Sequence, residues 1–244
     1  LDFYSRFQNY MIKSLNHSLN TFGKRIKTIK SFMNYATEIG VNNNLEFNKK
    51  SFKVVDKKIK HAYLDSDEVE RIRLLNLSGI LNESRDAFLL MIYLGVRYSD
   101  YLKINRNNIT NGYIDFTTHK TNDNLSIPIH PYAMTIIEKW NFILPKLSNP
   151  QLNKYIKIVC KNAKIDNLVT LNGITKEKYK FITCLTARRT LVTNGYLNNV
   201  SPSVLKNITG HSTESTFMTY VQKERDVKLQ HMLDIFPVKL KKVI

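Results

Sequence analysis

Apolar residues recur at helical spacing from the start of the chain. Phe3, Phe7, Tyr10 and Met11 trace one short helix. Asn20 is a suitable N-cap for a second, which keeps Phe22, Ile26, Ile29, Met33 and Ala36 on one face. Gly40 can end it as a left-handed C-terminal residue. Asn42, Asn43 and Asn44 mark a loop, and the pattern resumes at Leu64. Asp65 and Glu68 have capping-box spacing for a helix reaching Leu77, with Gly79 beyond it. A strongly apolar helix follows over 82–94, closed by Gly95, and then a short helix holding Tyr98, Leu102 and Ile104.

The period then changes. Tyr113–Thr117 and Leu125–Ile129 alternate like strands and are separated by a polar stretch over 119–124. Pro131 can open a helix reaching Leu144, and Pro145 and Pro150 break the chain before a helix over 151–163. Leu168–Ile182 reads as a Gly-containing extended stretch. Helices return over 186–198, 201–208, 213–221 and 223–235. The expected class is mostly α with a small antiparallel β-sheet, an α+β arrangement.

Charge divides the chain. Lys and Arg number 37 against 20 Asp and Glu, a net charge of +17. The first 60 residues hold 12 basic and only 4 acidic side chains, with six lysines between Lys49 and Lys60. A small basic helical module over 1–47, a basic linker over 48–63 and a larger module over 64–244 are expected. Such an excess favours a polyanionic partner, nucleic acid or an anionic membrane surface. Lys24, Arg25, Lys27 and Lys30 on the second helix, with Lys57 and Lys58 in the linker, are the candidate DNA contacts. No apolar run is long enough to span a bilayer, and the two cysteines, Cys160 and Cys184, read as core residues of a reducing, cytoplasmic compartment. The chain opens at Leu1 with no Met, so the first module is expected to be incomplete at its N-terminus.

Several chemistries are disfavoured. No Cys or His pair has zinc spacing, no Gly-rich loop cradles phosphate, and His119 and His130 are too scattered for a metal site. Catalysis, if present, uses side chains alone, with no metal and no cofactor.

Three segments carry a resemblance. Gly95-Val96-Arg97-Tyr98-Ser99-Asp100, Thr186-Ala187-Arg188-Arg189-Thr190, and Thr209-Gly210-His211-Ser212 followed by Phe217-Met218-Thr219-Tyr220 resemble the signature boxes of the tyrosine recombinases, the phage integrase family. The hairpin bearing Lys120 lies between the first two boxes, and the helix from Asn20 to Ala36 resembles one from that family's core-binding domain. The resemblance implies a helical core-binding domain joined to a catalytic domain. It also implies site-specific cutting and rejoining of double-stranded DNA through a 3′ phosphotyrosine.

The residue types fit that chemistry. Phosphodiester anions repel a nucleophile, and guanidinium forks held at the phosphate oxygens offset the repulsion. Arg97 and Arg188 would form the clamp, with Arg189 the close rival of Arg188. Tyr220 would attack phosphorus, its phenolate favoured by cationic neighbours. Lys120 would protonate the departing 5′ oxygen. His211 would donate a hydrogen bond to a non-bridging oxygen, and Asp100 would hold local structure or orient an arginine. Four protomers would act on two duplexes, exchanging C-terminal tails through an apolar stripe of Leu229, Met232, Leu233, Ile235 and Phe236.

One position departs from the family pattern, whose second box reads His-x-x-Arg. Three residues before Arg188 stands Leu185, which can neither donate a hydrogen bond nor move a proton. Thr183 or His119 could substitute for the missing His. The alternatives are therefore a DNA-binding relative with impaired catalysis and a type IB topoisomerase-like DNA relaxer.

Overall fold

The computed structural model describes residues 2–117, 124–211 and 213–221. The chain divides into two compact units between Ile59 and Lys60, inside the stretch expected to link them.

The first unit holds α1 (Asp2–Asn9), which widens into a π-helical turn over Tyr10–Ser14, and α2 (Leu19–Glu38). Ser18, not Asn20, caps α2: its Oγ accepts from the Thr21 amide at 3.1 Å. Asn20 lies one residue inside the helix, so its side chain is free to reach outward, and it pairs with both backbone groups of Lys57 at 2.8 Å. Gly40 has the expected left-handed backbone, φ 74°. Tyr4, Met11, Phe22, Ile26, Phe47 and Phe52 form the core. A β-carbon on Gly23 would lie 1.8 Å from the Val55 carbonyl oxygen, so glycine lets the chain after Phe52 lie directly on α2.

The second unit opens with α3 (Ser66–Arg73), whose Asp65–Glu68 capping box forms as expected. The helix ends at Arg73, short of Leu77. The central element is α4 (Gly79–Leu94); Phe88, Leu90, Met91 and Leu94 along it are buried, as an apolar helix of a domain core must be. Asp86 on α4 is buried too, and receives Lys139 Nζ at 2.6 Å and Trp140 Nε1 at 2.9 Å. Gly95 stops α4 with φ 64°, and α5 (Tyr98–Tyr101) follows.

The sheet comprises β1 (Ile109–Thr110), β2 (Tyr113–Thr117) and β3 (Asn124–Pro128), all antiparallel and in that order. Ile114 faces Ile127 across the β2–β3 pair and both are buried, so one face of the pleat sits on the core. The turn joining these strands, with His119 and Lys120, lies outside the described residues.

Next come α6 (Pro131–Lys139) and α7 (Asn149–Asn162). The first stops before Leu144 because Asn141 and Phe142 adopt positive φ, 47° and 63°. In α7, Pro150 occupies the first turn, where its missing N–H costs nothing, so it starts the helix instead of preceding it. The extended stretch resolves into a hairpin of β4 (Leu168–Leu171) and β5 (Ile174–Glu177). Three helices complete the described chain: α8 (Cys184–Leu197), α9 (Pro202–Thr209) and α10 (Glu214–Met218). Both cysteines are buried and free. The stripe Leu229, Met232, Leu233, Ile235 and Phe236 and the helix expected over 223–235 lie outside the described residues. Among the described helices, none is long and apolar enough to cross a membrane.

Candidate active site

Four segments of the second unit converge. Arg97 stands at the N-terminus of α5, held there by the turn that Gly95 permits after α4. Arg188 projects from the second turn of α8. The end of α9 is closed by Gly210 at φ 60°, and the His211 amide bonds back to the Lys206 carbonyl at 3.1 Å, which turns the His211 side chain inward. Tyr220 follows α10. Its amide bonds the Phe217 carbonyl at 2.8 Å and its carbonyl accepts from Thr193 Oγ1 of α8 at 3.2 Å.

Arg188 is the hub. Only 1% of it is exposed, yet its hydrogen-bond partners are a carbonyl and an imidazole, not a carboxylate. Its Nη1 donates to Gly95 O at 3.0 Å, its Nη2 to His211 Nε2 at 3.3 Å, and its Nε is buried without a hydrogen-bond partner. Gly95 is doubly required: its φ is positive, and a β-carbon there would come 2.4 Å from Leu191 Cδ2. Oδ2 of the buried Asp100 lies 3.7 Å from Arg97 Nη1, and that Nη1 is buried without a hydrogen-bond partner.

Tyr220 sits among these groups. Its ring centre is 4.6 Å from that of His211, and the guanidinium carbons of Arg188 and Arg189 both lie 5.8 Å from it. The adjacent arginines therefore both reach the tyrosine, although only Arg188 also bonds Gly95 and His211. Burial, then Arg97, pushes the Arg188 pKa down to about 10 against the opposing pull of Tyr220 and Asp100, so the group stays charged at neutral pH. Burial, then Arg188, Arg97 and Lys206, pushes His211 down to about 3, so it is neutral there.

A cleft opens beside the arginines, lined by Arg97, Arg188, Ser99, Asn153, Thr183 and Leu185. Leu185 is 41% exposed, an aliphatic group beside two cations. The arrangement can hold an anion against Arg97 and Arg188 with a tyrosine alongside. Among the described residues, no group of three His, Cys, Asp or Glu side chains is gathered as a metal site would require.

Arg97, Arg188, His211 and Tyr220 are thus brought together, while Lys120 lies outside the described residues. Lys24, Arg25 and Lys27 are exposed on α2; Lys30 is partly buried and donates to the Phe52 carbonyl at 3.2 Å; Lys57 and Lys58 are exposed in the segment after Phe52. Arg189, the expected rival of Arg188, lies at the Tyr220 ring, and two contributors escape a reading of residue types: Thr193, which pins the Tyr220 backbone, and Thr209, which bonds His211. Only Thr209, inside the third box, carried any signal, as a hydroxyl two residues before the histidine.

No protein-family model and no curated protein sequence matches the chain. Solved structures do. A lambda integrase (75–356) dimer bound to a COC′ core site matches at 16% identity and TM-score 0.68, over 98% of this chain and 81% of that one. The XerH site-specific recombinase in a post-cleavage complex with palindromic difH substrate matches at 14% and 0.68, over 96% and 69%. The Tn1549 transposon integrase with circular intermediate DNA matches at 13% and 0.64, over 92% and 82%. The chain has the fold of the tyrosine recombinases.

Proposed function

We propose that this chain, built on the tyrosine recombinase fold, is a site-specific DNA recombinase that cuts and rejoins strands through a covalent 3′ phosphotyrosine at Tyr220. The observation that carries the reading is a buried arginine without a carboxylate on its hydrogen-bonding groups, Arg188, set beside Arg97, His211 and Tyr220. Burying a cation is costly, and among the described residues Asp100 and Tyr220 only partly offset the burial of Arg188 and its repulsion by Arg97. A scissile phosphate supplies an anion, and the two guanidinium groups meet the charge that builds on its oxygens.

Tyr220 attacks phosphorus, a Tyr O–P bond forms and the P–O5′ bond breaks. Lys120, between β2 and β3 in sequence, delivers the proton that the leaving 5′ oxygen needs. The freed 5′ hydroxyl of a partner strand then attacks the phosphotyrosine and releases Tyr220. Bond energy is conserved in the link, so no nucleotide cofactor is required. Exposed Lys24, Arg25, Lys27, Lys57 and Lys58, with Lys30, supply phosphate contacts from the first unit. Assembly as a homotetramer on two duplexes, through exchanged C-terminal tails, belongs to the same reading.

The test is strand exchange between two differently labelled duplexes carrying a site recovered by selection from a random pool. Recombinant product dependent on Tyr220 is expected. Tight, sequence-specific binding without exchange or cleavage would favour the second reading, a DNA-binding relative that no longer cuts. One observation supports that reading: Leu185 at the cleft, where a hydrogen-bonding group is wanted.

A further inference from the structure

The hydrogen bonds around His211 carry a consequence for how the site takes up an anion. The Thr209 hydroxyl has one proton, and it donates this to the Leu205 carbonyl at 2.5 Å, one turn back along α9. Its oxygen is therefore left to accept, and His211 Nδ1 lies 2.7 Å away. That contact is a hydrogen bond only if Nδ1 carries the ring proton. The opposite nitrogen, Nε2, then holds a lone pair, which matches its neighbour: Arg188 Nη2, at 3.3 Å, can only donate. Arg188 Nη2 also lies 3.5 Å from Nδ1, the longer of its two approaches to the ring, so the 2.7 Å contact with Thr209 decides the tautomer.

We infer that Thr209 is a positioning residue that locks His211 as the Nδ1–H tautomer, so that anion binding at Arg97 and Arg188 draws one proton onto His211 Nε2. In the free protein Nε2 accepts from Arg188. An entering anion takes over Arg188 Nη2, and Nε2 then faces an oxygen to which it can donate only after gaining a proton. Solvent supplies the proton, and no covalent bond changes. The groups facing the ring are Arg188 from α8, Arg97 from α5, Lys206 and Thr209 from α9, and Phe217 and Tyr220 at α10. Burial and then the three cations resist protonation while the site is empty, and an anion among them offsets that resistance. The inference rests on the recombinase reading only in naming a DNA phosphate as the natural anion.

The full-length chain, labelled with 15N-histidine, tests it by NMR, with sulfate as the probe because its charge is constant from pH 5 to 8. Free protein at pH 7 should show His211 as a neutral Nδ1–H ring, and sulfate should convert it to imidazolium. The sulfate dissociation constant should rise with pH, by up to about tenfold per unit for uptake of one proton. Thr209→Val keeps the shape, removes the hydroxyl and should flatten that slope to less than about threefold per unit. Thr209→Ser should restore both tautomer and slope. An Nε2–H ring in the free protein, or an equal slope with and without the hydroxyl, would overturn the inference. Because neither readout involves cleavage, a chain that never cuts DNA could still pass, and an active recombinase could still fail.

Discussion

Replacing Arg188 with methionine separates a functional arginine from a structural one. The side chain is 1% exposed, hydrogen-bonds to the Gly95 carbonyl and the neutral His211 ring, and leaves its Nε unpaired in the core. Burial, and after it repulsion from Arg97, holds its pKa down. Replacing a buried ion pair by apolar residues of similar volume is typically neutral or stabilising, by about 1–4 kcal/mol, and a buried arginine with no carboxylate on its hydrogen-bonding groups should follow the same rule. Here the Gly95 carbonyl loses its donor, which costs about 1 kcal/mol. The net expectation for Arg188→Met lies between about 1 kcal/mol of lost and about 3 kcal/mol of added stability, read as the urea midpoint at unchanged slope. Cleavage should meanwhile fall by at least about 100- to 1000-fold, the usual cost of losing one transition-state donor. Loss of more than about 2 kcal/mol in the variant would refute the reasoning, for it would make Arg188 a packing element whose charge is satisfied within the protein.

Further outcomes follow from the same geometry. Leu185→His puts a hydrogen-bonding ring into the cleft beside Arg97 and Arg188 and should raise the cleavage rate, by at least about tenfold in single-turnover assays; no gain would mean that the second-box position lies elsewhere. Removing any one of the exposed Lys24, Arg25 or Lys27 should weaken DNA affinity similarly for all sequences and lower the slope of log K against log salt by about 0.9. His211 has its folded-state pKa depressed to about 3, so below its ordinary value of 6.5 the unfolded chain binds the proton and the folded one does not. Stability should therefore fall as pH drops from 6.5 toward 3. Its share between pH 6.5 and 5 is about 1 kcal/mol after discounting for solvent screening, and a difference curve against His211→Gln isolates it from His61, whose pKa burial and then Arg189 also lower.

Much of this architecture was legible because it rests on local signals. The Asp65–Glu68 capping box, the Gly95 stop after α4 and the alternation over Tyr113–Thr117 all depend on neighbours in sequence, and all appear as read. The errors came where long-range contacts decide. Asn20 looked like a cap, but its amide is better used on Lys57, 37 residues away, and Ser18 takes the capping role. The hairpin over β4 and β5 was blurred because its two strands are short and largely exposed, so no apolar alternation marks them. At the site, Arg97, Arg188, His211 and Tyr220, which the family resemblance singles out, lie together in the second unit. Thr209 and Thr193 were not legible, since threonines on helices give no sign of which carbonyl or ring they will meet.

The most direct test is to trap Tyr220 on DNA. A duplex carrying the selected site, nicked just beyond the scissile phosphate so that the released fragment diffuses away, should accumulate a covalent adduct with the wild-type chain. Peptide mapping should find the 3′ phosphate on Tyr220, and Tyr220→Phe should bind the same duplex with about the same affinity yet form none. An adduct that survives in Tyr220→Phe, or none at all from wild-type protein saturating the site, would contradict the assignment.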